Sequence, residues 1–339
     1  MISLGDYLQE FQDFYWIEEE GISSNVYLLA GGKVLIDTGN TPSMPRQIDE
    51  NFPVHGIEAI FITHHHYDHM GSLVELMAYC NPKILLHRDT LPFMMINHVP
   101  FLKVMEENKR ADRIVLLRGS ERFQWGDVDL EVIAAPGHTS GDICLFEHRT
   151  GSPFSGDMVF PAFQNTNFLA DADPSTGNVF EMKDSLKRLL RYPVKALLPG
   201  HGGPVLRDGH EHVKNTYLQV VTDMEKGDKE KGWLELADAL MEYDRHAEAI
   251  ECLDHILSQN PSQIKSWIRK GMAHLELSAH EEALSAFEKA LTLQVDHPEA
   301  ILGKGMALIA LDRAPEAMQL TGFAEYLKRT LGRATSPQK

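Results

Sequence analysis

Several things are scarce in this chain, and each scarcity excludes a class of protein. No apolar run approaches the roughly 18–20 residues that cross a bilayer, so a membrane-spanning helix is not expected. The opening MISLGDYLQEFQDF has no basic segment followed by an apolar one, so no secretory leader is expected. Cysteine occurs only three times, at Cys80, Cys144 and Cys252, and never as CxxC. That excludes a disulfide framework and fits free thiols in a reducing cytoplasm. Basic residues number 32 against 49 acidic ones, a net charge of −17 with no basic groove, which argues against nucleic acid and membrane surfaces as partners.

What is present is ordinary in bulk and unusual in one detail. The 339 residues suggest about two domains at roughly 150 residues each. A hydrophobic share of 43% and a charged share of 24% suit a globular chain with a sizeable core. Histidine is the anomaly: there are 17, several crowded into one hexapeptide, which points to metal.

The first part alternates strands and helices. Short branched or aromatic runs at 14–19, 25–30 and 33–37 read as strands, with Gly31-Gly32 as the turn between the last two. Further strands fit 58–62, 83–87, 113–118, 129–134, 142–147 and 195–198, and helices fit 71–80 and 180–191. This succession predicts stacked sheets with helices outside. The polar segment EKGDKEKG (225–232) marks a linker, giving expected domains at 1–226 and 229–332.

The second part is helical and repeats every 34 residues. Trp233, Trp267 and Ile301 share that spacing, as do Ala237, Gly271 and Gly305, and Ala249, Ala283 and Ala317, each preceded by Glu. Leu253 matches Phe287, and Ile256, Ala290 and Ala324 align. The third copy has Thr321 where Phe is expected. This pattern resembles a tetratricopeptide array of about three repeats, whose stacked hairpins commonly bind proteins or pair subunits.

The sharpest local feature is Thr63-His64-His65-His66-Tyr67-Asp68-His69, between a probable strand and a helix expected to start at Met70-Gly71. In an extended loop His64 and His66 point the same way and can converge on one ion, while the turn redirects Asp68 and His69 to a second. Such donors suit zinc, iron or manganese. His138 (in PGHTSG), Asp157 (in SGD) and His201 (in PGHGGP) each follow a strand and sit beside glycine, the placement expected of ligands converging from several loops.

HxHxDH, GHT, SGD and PGHG together resemble the metallo-β-lactamase superfamily, over roughly residues 14–225, and within it the glyoxalase II-like hydrolases. Asp37-Thr38-Gly39 is similar to that family's early strand-end Asp. The resemblance implies a four-layer αββα sandwich, an α+β domain placed ahead of the all-α repeat domain. It implies that His64, His66 and His138 bind a first metal, that Asp68, His69 and His201 bind a second, and that Asp157 bridges them, Asp68 serving also as the catalytic carboxylate. It implies two divalent ions, zinc foremost and iron or manganese also suited. Metals about 3.5–4 Å apart hold a hydroxide that attacks an acyl carbon or a phosphorus. The expected function is hydrolysis of a thioester or small ester, with a protein partner or a second subunit on the repeats. Three readings stay open beside it: a signalling effector whose repeats bind a partner, an iron-dependent redox enzyme, and a phosphodiesterase.

Other residues draw blander expectations. His65 lies between ligands and points away or bonds to one of them. His87 reads as a strand-edge residue, and His210 and His212, two apart on a helix, cannot share a face. The apolar segment 91–105 is either a wall over the substrate, with Phe93, Met94, Met95 and Phe101 lining it, or a helix packed on the sheet. The loop 161–178 is a second candidate wall.

Overall fold

A computed structural model describes residues 1–18, 21, 23–161, 172–225 and 228–323. Most of the expected wall at 161–178 and the end of the third repeat, Ala324 included, lie outside the described residues. The chain divides into two compact units, Met1–Val220 and a second from Val221 onward.

Two sheets build the first unit. One has the order β1 (Ile2–Ser3), β2 (Tyr15–Ile17), β3 (Val26–Leu29), β4 (Val34–Ile36), β5 (Ala59–Ile62), β6 (Lys83–His87) and β9 (Ile114–Leu117). The strands β7 (Met95–Ile96) and β8 (Val99–Pro100) make a separate hairpin. The second sheet runs β10 (Arg122–Trp125), β11 (Val128–Ala134), β12 (Ile143–Glu147), β13 (Ser152–Gly156), β14 (Leu198–Pro199). Pairing is antiparallel from β1 to β4 and parallel from β4 through β5 and β6 to β9. The helices of this unit are α1 (Met44–Asp49), α2 (Tyr67–Met70), α3 (Leu73–Met77), α4 (Phe101–Glu107), α5 (Val179–Leu189) and α6 (Gly209–Met224).

The layering follows from the period-two alternation of strand side chains. Val26 and Leu28, Leu35, Ile60 and Ile62, and Ile84 and Leu86 share one core with Met44, Ile48, Leu73, Leu76, Phe101 and Met105 of the helices. The intervening Tyr27 and Leu29, Val34 and Ile36, Phe61 and Leu85 share the other core with Leu130, Val132, Leu145, Phe154 and Leu198 of the second sheet. Every residue of β3, β4 and β5 is therefore buried. Helix α5 is tied to the end of β11: the Ser185 hydroxyl donates to the Pro136 carbonyl at 2.7 Å and Arg188 to the Ala134 carbonyl at 3.1 Å. The result is a sandwich of two mixed sheets packed face to face, with helices covering the outer face of the first.

Most expected strands are found, with shifts. The helix expected at 71–80 is the shorter α3, and a further helix, α2, precedes it from Tyr67, because His66 is still extended (ψ 142°) and the chain turns immediately after it. The run 195–198 contributes only Leu198 to β14, Leu197 instead forming an isolated bridge with Val205. The segment 91–105 is split between its two readings. Met94, Phe101 and Met105 are core residues on or beside α4, whereas Phe93 and Met95 are 45% and 43% exposed.

The second unit is all helical: α7 (Lys229–Glu242), α8 (His246–Gln259), α9 (Ile264–Glu276), α10 (His280–Leu293), α11 (Pro298–Ala310) and α12 (Ala314–Ala317). Phe287 is fully buried between two glycines, and a Cβ on Gly271 or Gly303 would come within 2.7 or 2.3 Å of its ring. The third copy solves the missing aromatic differently. Helix α12 is short, and Phe323, two residues past Thr321, packs where a Cβ on Gly305 would meet its ring. The turns carry a period the sequence reading missed: Asp244, Ser278 and Asp312, 34 residues apart, all have φ near +60°. No helix among the described residues is long and apolar enough to cross a membrane.

Candidate metal centre

The site lies at the C-terminal ends of strands from both sheets. β5 ends at Ile62 and leads into Thr63–His66 and α2. β11 leads to His138, β13 to Asp157 and β14 to His201.

Two donor sets form. One gathers His64, His66, His138 and Asp157, the other Asp68, His69 and His201, each with ligand atoms within 4.8 Å of one another. His66 Nδ1 lies 3.1 Å from His64 Nε2 and 3.0 Å from His138 Nε2. His201 Nε2 is 3.0 Å from Asp68 Oδ2, and His69 Nε2 is 3.5 Å from the same oxygen. Asp157 stands between the sets: Oδ2 is 3.6 Å from His138 Nε2 and 3.7 Å from His201 Nε2, and Oδ1 is 3.1 Å from His69 Nε2. All seven residues expected from the sequence are thus brought together.

The loops are fixed by neighbours. Asp37, at the end of β4 with φ +57°, accepts the Thr63 N–H and hydroxyl, each at 2.8 Å, and pairs with His69 Nδ1 at 2.7 Å. One carboxylate thereby orients both the loop after β5 and the imidazole of His69, leaving Nε2 facing the centre. Thr63 Oγ1 also lies 3.1 Å from His64 Nδ1, so Nε2 is the free nitrogen there too. The His138 loop is held by Asp142, which accepts the Thr139 N–H at 2.6 Å and the Thr139 hydroxyl at 2.5 Å. At Gly200 an added Cβ would lie 2.5 Å from Asp157 Oδ1 and 2.6 Å from His69, so only glycine lets the backbone pass this close.

Besides Asp142, sequence reasoning missed three supports. The Asn25 side chain donates to the Pro199 and Gly202 carbonyls at 3.0 and 2.7 Å, and the Tyr27 hydroxyl donates to Pro199 at 2.8 Å, so β3 clamps the His201 loop. Asp173 approaches His66 Nε2 at 3.2 Å. It falls in the loop singled out as a wall, but an isolated Asp carries no local signature. His65 joins neither set; its ring lies 5.3 Å from that of Phe93, and burial, then neighbouring His66, lowers its pKa to about 4.

The electrostatics suit cations. Burial, reinforced by His69, His138 and His66, keeps His64 neutral, the form that offers a lone pair. Burial opposes the charge on Asp157, but facing His69, His201 and His138 outweigh it and hold the carboxyl well below its usual range. Burial likewise opposes a charged His69, and Asp157 and Asp37 override it upward. Among the described residues, His69 Nε2 and Asp157 Oδ1 are buried without a hydrogen-bonding partner. Such orphaned atoms, lining a nest of imidazole and carboxylate donors, fit divalent metal and would be costly without it.

Comparison with known proteins places the family and the repeats. Residues 20–201 match the family described as the metallo-beta-lactamase superfamily, and residues 230–273 and 264–297 match tetratricopeptide repeats. A hydroxyacylglutathione hydrolase of Hahella chejuensis is 32% identical over 166 residues, 48% of this chain and 54% of that protein. A probable metallo-hydrolase of Bacillus subtilis is 28% identical over 218 residues, 53% of this chain and 67% of that protein. The chain spans about half the length of the hydroxyacylglutathione hydrolases it matches. A crystal structure of a beta-lactamase domain protein from Burkholderia ambifaria superposes with a TM-score of 0.50 at 20% identity, covering 63% of this chain and 74% of that one, a likeness of fold.

Proposed function

The chain belongs to the metallo-beta-lactamase superfamily, and from that premise we propose that it is a two-metal hydrolase of a thioester or small ester. The observation that carries the reading is Asp157, whose two oxygens face both donor sets at 3.1–3.7 Å. His64, His66 and His138 would hold one ion, Asp68, His69 and His201 the other, and Asp157 both. Zinc is the ion we assign, with iron or manganese compatible with the same donors. When bound, such a pair supplies water activated at neutral pH and positive charge for a developing oxyanion.

The protein's own residues then have distinct tasks. Asp37 and Thr63 keep Nε2 of His69 and of His64 turned inward. Asp68, at 26% side-chain exposure against 8% for Asp157, is the more exposed carboxylate of the site, and we assign it the handling of the proton there. Phe93, exposed and beside His65, offers an apolar surface for an acyl group. The hydroxyacylglutathione hydrolase relatives favour a thioester among the esters. For the repeats we propose docking of a protein, a foreign partner or a second copy.

The test pairs a substrate panel with metal counting. Fully loaded protein is expected to hydrolyse acyl thioesters faster than phosphodiesters, and to bind two ions per chain. Asp157→Ala should lose both ions or bind them far more weakly, and lose turnover with them. Full loading without turnover of any ester would overturn the reading.

A further inference from the structure

We propose that Asp173 is a positioning residue that selects the tautomer of His66, holding the proton on Nε2 so that Nδ1 is free for the first metal. The inference rests on His66 being a ligand, as argued above. Nδ1 of His66 sits within about 3.1 Å of two other imidazole nitrogens, from His64 and His138. Three nitrogens this close can serve one ion only if each presents a lone pair. A neutral His66 must then carry its proton on Nε2, and the atom facing Nε2 is Asp173 Oδ2, 3.2 Å away.

The carboxylate is built into place. Its other oxygen, Oδ1, accepts the backbone N–H groups of Ser175 and Thr176, both at 2.8 Å, and also both hydroxyls. The Asp173 N–H donates to the His138 carbonyl at 2.7 Å. One residue therefore touches two of the three histidines of the set, the ring of His66 and the backbone of His138. With Oδ1 committed to the turn, Oδ2 serves His66 alone among the described residues.

That division of labour gives a discriminating variant. In Asp173→Asn the amide oxygen can keep all four turn donors, which leaves the NH2 group pointing at His66 Nε2. A donor would then face a donor, favouring the tautomer with its proton on Nδ1. If Asp173 only shapes the turn, the substitution is silent. If it sets the tautomer, the ion that His66→Ala also loses should bind about 10–100-fold more weakly, as when a ligand's supporting partner is removed. The other ion should keep its affinity within about twofold.

The measurement is competitive titration of wild type, Asp173→Asn and His66→Ala with zinc against a chromophoric chelator. Long-range proton–nitrogen NMR of histidine-labelled, zinc-loaded wild type accompanies it and does not depend on a variant folding. The expected spectrum shows His66 protonated on Nε2. Two wild-type affinities in folded Asp173→Asn, or a wild-type His66 protonated on Nδ1, would overturn the proposal and leave the two-metal reading standing. A wild type that binds fewer than two ions would overturn both.

Discussion

At the scale of single residues, the protein uses carboxylates that are not themselves in the donor sets to aim the groups that are. Asp37 and Asp173 do this for the loop after β5 and Asp142 for the His138 loop. Burial pushes the Asp142 carboxyl up to about 8, against the pull of the Thr139 donors. An acid whose folded pKa lies above its unfolded value of about 3.9 favours the folded state while protonated. That contribution is full below about 4 and is lost as pH climbs to about 8. The stability of wild type relative to Asp142→Asn, measured in chelator by urea unfolding, should therefore fall across that window and level off above it. A difference that is flat with pH would contradict the assignment. These carboxylates also mark the limit of what could be read beforehand. The seven donors were legible because four sit in one heptapeptide and three stand in short glycine-flanked motifs. Asp37 was found only through a family resemblance. Asp173, Asn25 and Tyr27 were not found, since each acts on a loop far from it in sequence.

At the scale of elements, β3 to β6 of the first sheet were legible because both faces are covered, which makes them short apolar runs, whereas the two-residue β1 was not read at all. β10, with alternating exposed and half-buried residues at the sheet edge, and α1, a single short helix, had no comparable signal. In the repeats the period itself was the signal, and it located the small residues before their partners were known. Gly303, which the period did not mark, packs on the same Phe287 ring as the periodic Gly271. Valine there would drive a branched side chain into the ring of Phe287, whose surroundings leave it no exposed surface. We expect Gly303→Val to destabilise the helical unit by about 1–3 kcal/mol, the usual cost of overpacking, or more where the ring cannot move. Thermal unfolding followed by circular dichroism reads this, and an unchanged melting temperature would refute the packing argument.

At the scale of the whole molecule, the donors come from the ends of four strands in two sheets, so the centre exists only when those sheets are assembled. Ions that bind the folded chain and not the unfolded one add to its stability by mass action. Zinc held at 100 times its dissociation constant should raise the unfolding free energy by about 2.7 kcal/mol per site, and a chelator should remove that increment. A melting temperature indifferent to zinc would show that the donors do not bind it. The spread from His64 to His201 has one more consequence. The ribosome must have carried the polypeptide past His201 before the cage can close, so loading waits on nearly the whole first unit, and until then the unfilled chain is open to proteolysis. Cation shortage would then show itself as a shrinking pool of this protein, and not as a constant pool standing idle.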